Sequence, residues 1–193
     1  MATIEFKMLG AGYFSQVFEI KHSKERRLGK TVVKIGGNFG PIAEDGWWTF
    51  AEWVMKATSK KNCPGRKHLP VIKYADRETG IAIMGRLKND LNGLDNDECL
   101  MLLRKYFPGI RSDCHIGETM QQLIYNIGEY FRGAKAIYSP RGTKSTSKEW
   151  KNFCFFAKWF RKNAGFRMSD IHGGNIMVDD EFNLVITDPT SWE

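Results

Sequence analysis

Cysteine is scarce and scattered in this 193-residue sequence. Cys63, Cys99, Cys114 and Cys154 form no C-x-x-C pair, which argues against a disulfide framework or a zinc site and for a reducing cytoplasm. No run approaches the roughly 18 apolar residues that a membrane helix needs. The opening MATIEFKMLG lacks the apolar segment of a signal peptide, so the expectation is a soluble chain that is not secreted by that route and meets no membrane. There is also no internal repeat and no long low-complexity segment. What is present is ordinary globular composition, 42% hydrophobic and 26% charged, enough for one domain or for two small lobes sharing one interface.

The formal charge is +7 and gathers in three runs, KHSKERRLGK (21–30), KATSKKNCPGRKH (56–68) and RGTKSTSK (141–148). Such runs fit solvated loops; they also fit attraction to nucleic acid or to an acidic protein partner.

The first third reads as strands punctuated by glycine. IEFKML (4–9) alternates and ends at Gly10, QVFEI (16–20) resumes after the turn, and TVVKI (31–35) is an apolar run around one lysine. Residues 41–61 have a proline near the start and apolar side chains at helical spacing, which predicts one helix with Gly46 as an early weak point. VIKYA and IAIMGRL form a hairpin around DRETG. Helices follow over 95–107, 118–138 and 147–166, with SPRGTKSTS (139–147) as a mobile loop. The expected fold class is α+β: a five-stranded antiparallel sheet with one helix over 1–87, then a mostly helical part over 88–193 that carries a short hairpin.

That hairpin closes the chain. In MSDIHGGNIMVDDEFNLVITDPTS (168–191), NIMV and LVIT are short buried strands joined by DDEFN. Asn175 at the entrance and Asp188 at the exit bring two oxygen ligands together, a way to hold a hard divalent cation. Asp170, five residues before Asn175, can accept a proton from an attacking hydroxyl or orient it. At the other end of the chain, Gly10 and Gly12 in LGAGYFSQVF let the backbone approach a phosphate. Lys34, inside an apolar strand, must snorkel, pair or bind something. Its carboxylate partner would be Glu52 in the middle of the next helix, with Glu44 and Asp45 near the helix start as alternatives. Each residue has a plain structural use as a cap, a strand start or a turn; together they point to phosphate chemistry.

The D-x-x-x-x-N spacing with a second Asp thirteen residues on resembles the catalytic loop and metal-binding Asp of the protein-kinase superfamily. GAGYFSQV resembles its glycine-rich loop and VVK its strand lysine. FKMLGAGYFSQVF, VVKIG, HGGNIMV and ITDPTS look like the early serine/threonine protein kinases of T-seven-like bacteriophages, a resemblance carried by both ends of the chain while 90–165 matches mainly in being helical. It implies ATP and Mg2+ (or Mn2+) as cofactors, and Gly10, Gly12, Ser15 and Lys34 over the phosphates. Backbone around Met84, Arg86 and Leu87 would hold adenine. Asp170 would be the catalytic base, His172 would meet the transferred phosphoryl group, and Asn175 and Asp188 would bind the metal. It further implies a phage-encoded enzyme in the host cytoplasm, acting on host proteins of transcription, RNA processing or defence. Ser139, Thr143, Ser145, Thr146 and Ser147 would be sites of autophosphorylation.

The departures are specific. Ser15 replaces the third loop glycine, Met168-Ser169 replaces the usual His-Arg, and Asp188-Pro189-Thr190 stands for Asp-Phe-Gly. The sequence ends five residues after Asp188, so no activation segment is expected. His172 also suits small-molecule phosphotransferases of the aminoglycoside-kinase-like branch. A non-catalytic kinase-fold protein that blocks a host enzyme is the third reading, which the intact Lys34, Asp170, Asn175 and Asp188 set argues against.

Overall fold

The computed structural model describes residues 4–22, 30–37, 41–111, 115–141, 143 and 146–190. Cys114, Ser145 and most of the basic run 21–30 lie outside them. Two compact units form: the chain up to Lys61 with Pro70–Arg86, and Asn62–Leu69 with Leu87–Thr190.

In the first unit, strands β1 (Ile4–Ala11), β2 (Ser15–His22), β3 (Thr31–Gly36), β4 (Ile72–Asp76) and β5 (Ile81–Gly85) form an antiparallel sheet in the order β1-β2-β3-β5-β4. This is the five-stranded sheet expected. β3 is central, and Thr31, Val32, Val33 and Lys34 are all buried, which explains why its sequence is a continuous apolar run rather than an alternating one. The register of β1 against β2 slips between Met8 and Gly10, a bulge that precedes the glycine turn.

The single helix expected over 41–61 is shorter. A 3-10 turn covers Ile42–Glu44, and helix α1 runs only from Trp47 to Thr58. The reason is local: Asp45 is extended and its Oδ1 accepts the Trp47 N–H at 3.0 Å, so the helix starts where that side chain satisfies an end donor. Trp47, Trp48, Phe50, Ala51 and Val54 form the buried face, and α1 packs against β4.

The second unit holds helices α2 (Asn96–Tyr106), α3 (Ile116–Arg132) and α4 (Lys148–Asn163). A capping box between Asp95 and Glu98 starts α2, and Ser147 caps α4 through the Trp150 N–H. The helix expected to reach residue 138 stops at Arg132, because Gly133 takes φ +134 and donates its N–H back to the carbonyls of Glu129 and Tyr130. Strands β7 (Ile176–Val178) and β8 (Leu184–Ile186) are the expected hairpin. A third strand, β6 (Asn89–Asp90), pairs with β7 and extends that hairpin into a three-stranded sheet.

β8 is an outer strand, and an unpaired strand edge inside a core is costly. Two side chains close it: the Leu184 N–H donates to Tyr106 Oη at 2.9 Å, and His68 Nδ1 donates to the Leu184 carbonyl at 2.8 Å. His68 is fully buried, with Phe153 and Phe156 ring centroids 5.2 and 5.1 Å away. Its Nε2 is buried with no partner. Burial therefore depresses its pKa from 6.5 to about 4, since protonation would put a cation among aromatic rings. Among the described residues, no helix is long and apolar enough to cross a membrane.

The pH consequence follows from the sign of that shift. Between about pH 6.5 and pH 4 the unfolded chain binds a proton at His68 that the folded chain does not, so stability falls as the pH falls through this window. The expected loss is about 3 kcal/mol over the full window at 1.36 kcal/mol per pH unit. Urea unfolding of wild type and His68→Asn at pH 7 and pH 4 checks this: the variant, whose amide can still donate to Leu184, should show a flatter pH profile. Parallel profiles would contradict the assignment.

Candidate active site

The loop after α4 is built by hydrogen bonds between the residues singled out in the sequence. Asn175 Nδ2 donates to the Asp170 carbonyl at 2.8 Å and to Asp170 Oδ2 at 3.0 Å. The Asn175 carbonyl accepts the Thr187 N–H and the Thr187 hydroxyl, each at 3.0 Å. The Asp170 N–H donates to the Pro189 carbonyl at 3.2 Å. Asp170, Asn175 and the 187–189 segment are thereby one circuit, with Asp188 in its middle; Asp188 Oδ1 accepts the Thr190 hydroxyl at 3.4 Å.

His172 is extended at φ −141° and heads the 3-10 turn Gly173–Asn175. Its Nδ1 accepts the Gly174 N–H at 3.1 Å, so in the neutral ring the proton sits on Nε2. Nε2 lies 3.7 Å from Asp170 Oδ1. Both side chains are about half exposed, 57% for His172 and 45% for Asp170. Asp170 thus has one oxygen committed to Asn175 and one facing the His172 N–H edge.

Backbone contacts hold this loop from below. The Leu91 N–H reaches the carbonyls of Gly173 and Ile176 at 3.1 and 3.0 Å. Gly128 of α3 lies so close that a Cβ there would come within 2.8 Å of the Ile171 carbonyl oxygen. A Cβ on Gly173 would collide with the Asn92 amide. Neither contact has a signal in the sequence, where a glycine inside a helix reads only as a weak spot.

Asn175 and Asp188 carry oxygen atoms of the kind a hard cation takes. With Nδ2 used twice as a donor, Asn175 offers Oδ1 as an acceptor, and Asp188 offers a carboxylate; both are oxygens of the kind magnesium takes. Among the described residues no cluster of three or more His, Cys, Asp or Glu side chains forms a self-sufficient metal site.

In the first unit, Lys34 is buried at 6% exposure and its Nζ stands 4.0 Å over the Trp47 ring, a favourable cation–π geometry. Of the three carboxylates weighed as its partner, Glu52 and Glu44 are exposed while Asp45 is buried. Asp45 Oδ2 has no hydrogen-bond partner and its Oδ1 caps Trp47, so Lys34 and Asp45 both border Trp47. Gly10 and Gly12 do not have positive φ, and a Cβ on Gly10 would touch nothing within 4 Å, on Gly12 only the Ser15 carbonyl at 4.0 Å. The turn itself does not require these glycines. Met84 is buried in β5, and the N–H groups of Gly85 and Arg86 go to the carbonyls of Val71 and Lys30 at 2.7 and 2.8 Å. The Arg86 guanidinium pairs with Glu19.

No protein-family model and no curated protein sequence matches the chain. Among solved structures it is similar to the ternary complex of APH(2″)-IIa with streptomycin and ATP, at 14% identity and a TM-score of 0.38 over 98% of this chain and 66% of that one. It is also similar to the ADP-bound aminoglycoside phosphotransferase APH(2″)-Ib, at 14% identity and a TM-score of 0.35 over 96% of this chain and 68% of that one. The chain therefore spans about two thirds of the length of these structures.

Gly128→Ala tests the loop's seating. In an unobstructed helix the change would stabilise by roughly 0.5–1 kcal/mol. Against the Ile171 carbonyl it should destabilise by about 1–3 kcal/mol. Denaturant unfolding reads the sign directly, and a stabilised variant would mean the loop does not rest on α3.

Proposed function

We propose that this chain is an ATP-dependent phosphotransferase whose acceptors are serine and threonine hydroxyls of proteins. The observation that carries the reading is the hydrogen-bond circuit joining Asp170, Asn175 and the segment around Asp188. It presents one uncommitted carboxylate oxygen for a hydroxyl and two oxygen ligands for a metal within one short loop and hairpin.

In this reading the acceptor hydroxyl lies against Asp170 Oδ1. As its oxygen bonds to the γ-phosphorus, the bond from that phosphorus to the β-phosphate oxygen breaks in line, and the hydroxyl proton passes to Asp170. His172, with its proton fixed on Nε2, donates toward the transferred phosphoryl oxygens. Lys34 balances phosphate charge, held by burial against Trp47. Asn175 and Asp188 would hold magnesium, which supplies neutralisation of the phosphate oxygens when bound. Gly10, Gly12 and Ser15 cover the phosphates, consistent with a turn that leaves both glycines free of steric need.

The protein acceptor and the setting rest on the resemblance to early phage kinases: host proteins in the host cytoplasm, with autophosphorylation at Ser139, Thr143, Thr146 or Ser147 among the described residues. Small-molecule acceptors are the second reading, favoured by the pinned histidine at 172.

Incubation with γ-labelled ATP and magnesium in bacterial lysate decides the acceptor. Label should appear on serine and threonine of proteins, and Asp170→Ala should lower turnover by about 10²–10⁴. Label confined to metabolites would support the second reading, and undiminished transfer by a folded Asp170→Ala would overturn both. Separately, Gly10→Ala and Gly12→Ala should leave stability within about 0.5 kcal/mol of wild type. Both should nonetheless weaken ATP binding by on the order of tenfold, about 1.4 kcal/mol. Calorimetric titration beside thermal unfolding separates the two effects, and unchanged affinity would remove these glycines from the site.

A further inference from the structure

Helix α4 buries Trp150, Phe153, Phe156, Ala157 and Phe160 on one side. Its opposite side is unusual. Lys148, Lys151, Phe155, Lys158 and Lys162 are all exposed and follow one another at spacings of three and four. At 3.6 residues per turn they fall within an arc of about 80° and extend along about 21 Å of helix. Phe155, the central member, is 64% exposed. Among the described residues no carboxylate pairs with any of the four lysines. Glu149, the one acidic residue of the helix, projects about 120° away from Phe155. Arg66 and Lys67, also exposed, add positive charge in the same unit, in a segment that packs on α4 where Gly65 meets Phe156.

We infer that this stripe is a binding face for single-stranded nucleic acid, with Phe155 as a stacking platform for one base and the four lysines contacting the backbone phosphates on either side. Charge complementarity selects a polyanion. The composition then separates nucleic acid from an acidic protein. Protein interfaces deplete lysine and gather contiguous apolar contacts at their centre. This face has four lysines around one exposed aromatic ring, with the part-buried Trp159 one turn away. A lone exposed ring between cations is the pattern that binds single strands, because every base has a face to stack. None of these residues belongs to the Asp170 loop, and binding there requires no phosphotransfer.

Fluorescence anisotropy of the full chain with a labelled twelve-nucleotide oligothymidylate, across a salt series, tests the inference. Each phosphate contact contributes about −0.7 to the slope of log K against log salt. Lys151→Gln/Lys158→Gln should therefore make the slope shallower by about 1.4. Phe155→Ala should weaken binding by about 5- to 150-fold, as loss of one stacked base does, while leaving the slope unchanged. Circular dichroism should be identical for all three proteins, since every substitution is on the surface. The inference is overturned if Phe155→Ala binds as wild type does, if the slope ignores the lysines, or if polyglutamate displaces the probe as well as unlabelled oligonucleotide does. That last result would identify the face as a site for acidic protein.

Discussion

Leu184 sits in the outermost strand of a three-stranded sheet, with its N–H and its carbonyl turned away from β7. Tyr106 accepts the one and His68 donates to the other. Without them the hairpin that carries Asn175 and Asp188 would bury an open edge, and each orphaned backbone group costs on the order of 1–3 kcal/mol. These two bonds couple the hairpin to the aromatic core made by α2 and α4, so the hairpin beside Asn175 and Asp188 is held by packing rather than by the loop alone. A buried neutral histidine suits this place at neutral pH because it can donate through Nδ1 without carrying charge. The same choice makes acid the condition under which the hairpin loses its support.

The loop itself is arranged so that each polar group has one task. Asn175 spends both of its donor bonds on Asp170, which leaves its oxygen for a ligand. The Gly174 N–H sets the histidine tautomer. Thr187 ties the segment before Asp188 to Asn175, the last residue of the loop's 3-10 turn. Asp170, Asn175 and Asp188 are themselves only part-buried, while Thr187, Pro189 and Thr190 around them are buried.

Much of this was legible in the sequence because it depends on local pattern. Alternation and glycine gave the sheet; the spacing of Asp170, Asn175 and Asp188 brought out a hairpin that places them together. The rest depends on distant or subtle partners. His68 lies in PGRKHLP and reads as part of a basic loop, since its carbonyl partner is 116 residues away. β6 is two residues, Asn89 and Asp90, types poor in strands, and exists because β7 offers an edge. Helical position favours Glu52 over Asp45, yet Asp45 is buried beside Trp47 while Glu52 is exposed. Gly128 carries no local signal at all, because its role is to let a loop backbone from another part of the chain come near.

In the proposed function, magnesium held by Asp188 and Asn175 makes nucleotide binding depend on the metal. Thermal unfolding of wild type and Asp188→Asn with ATP alone, magnesium alone and both together tests it most directly. A ligand at a hundred times its Kd stabilises the folded state by about 2.7 kcal/mol. The wild type should show a rise of that order only when ATP and magnesium are both present, and Asp188→Asn should lose most of it. Equal stabilisation by ATP without magnesium, or an Asp188→Asn response identical to wild type, would contradict the account.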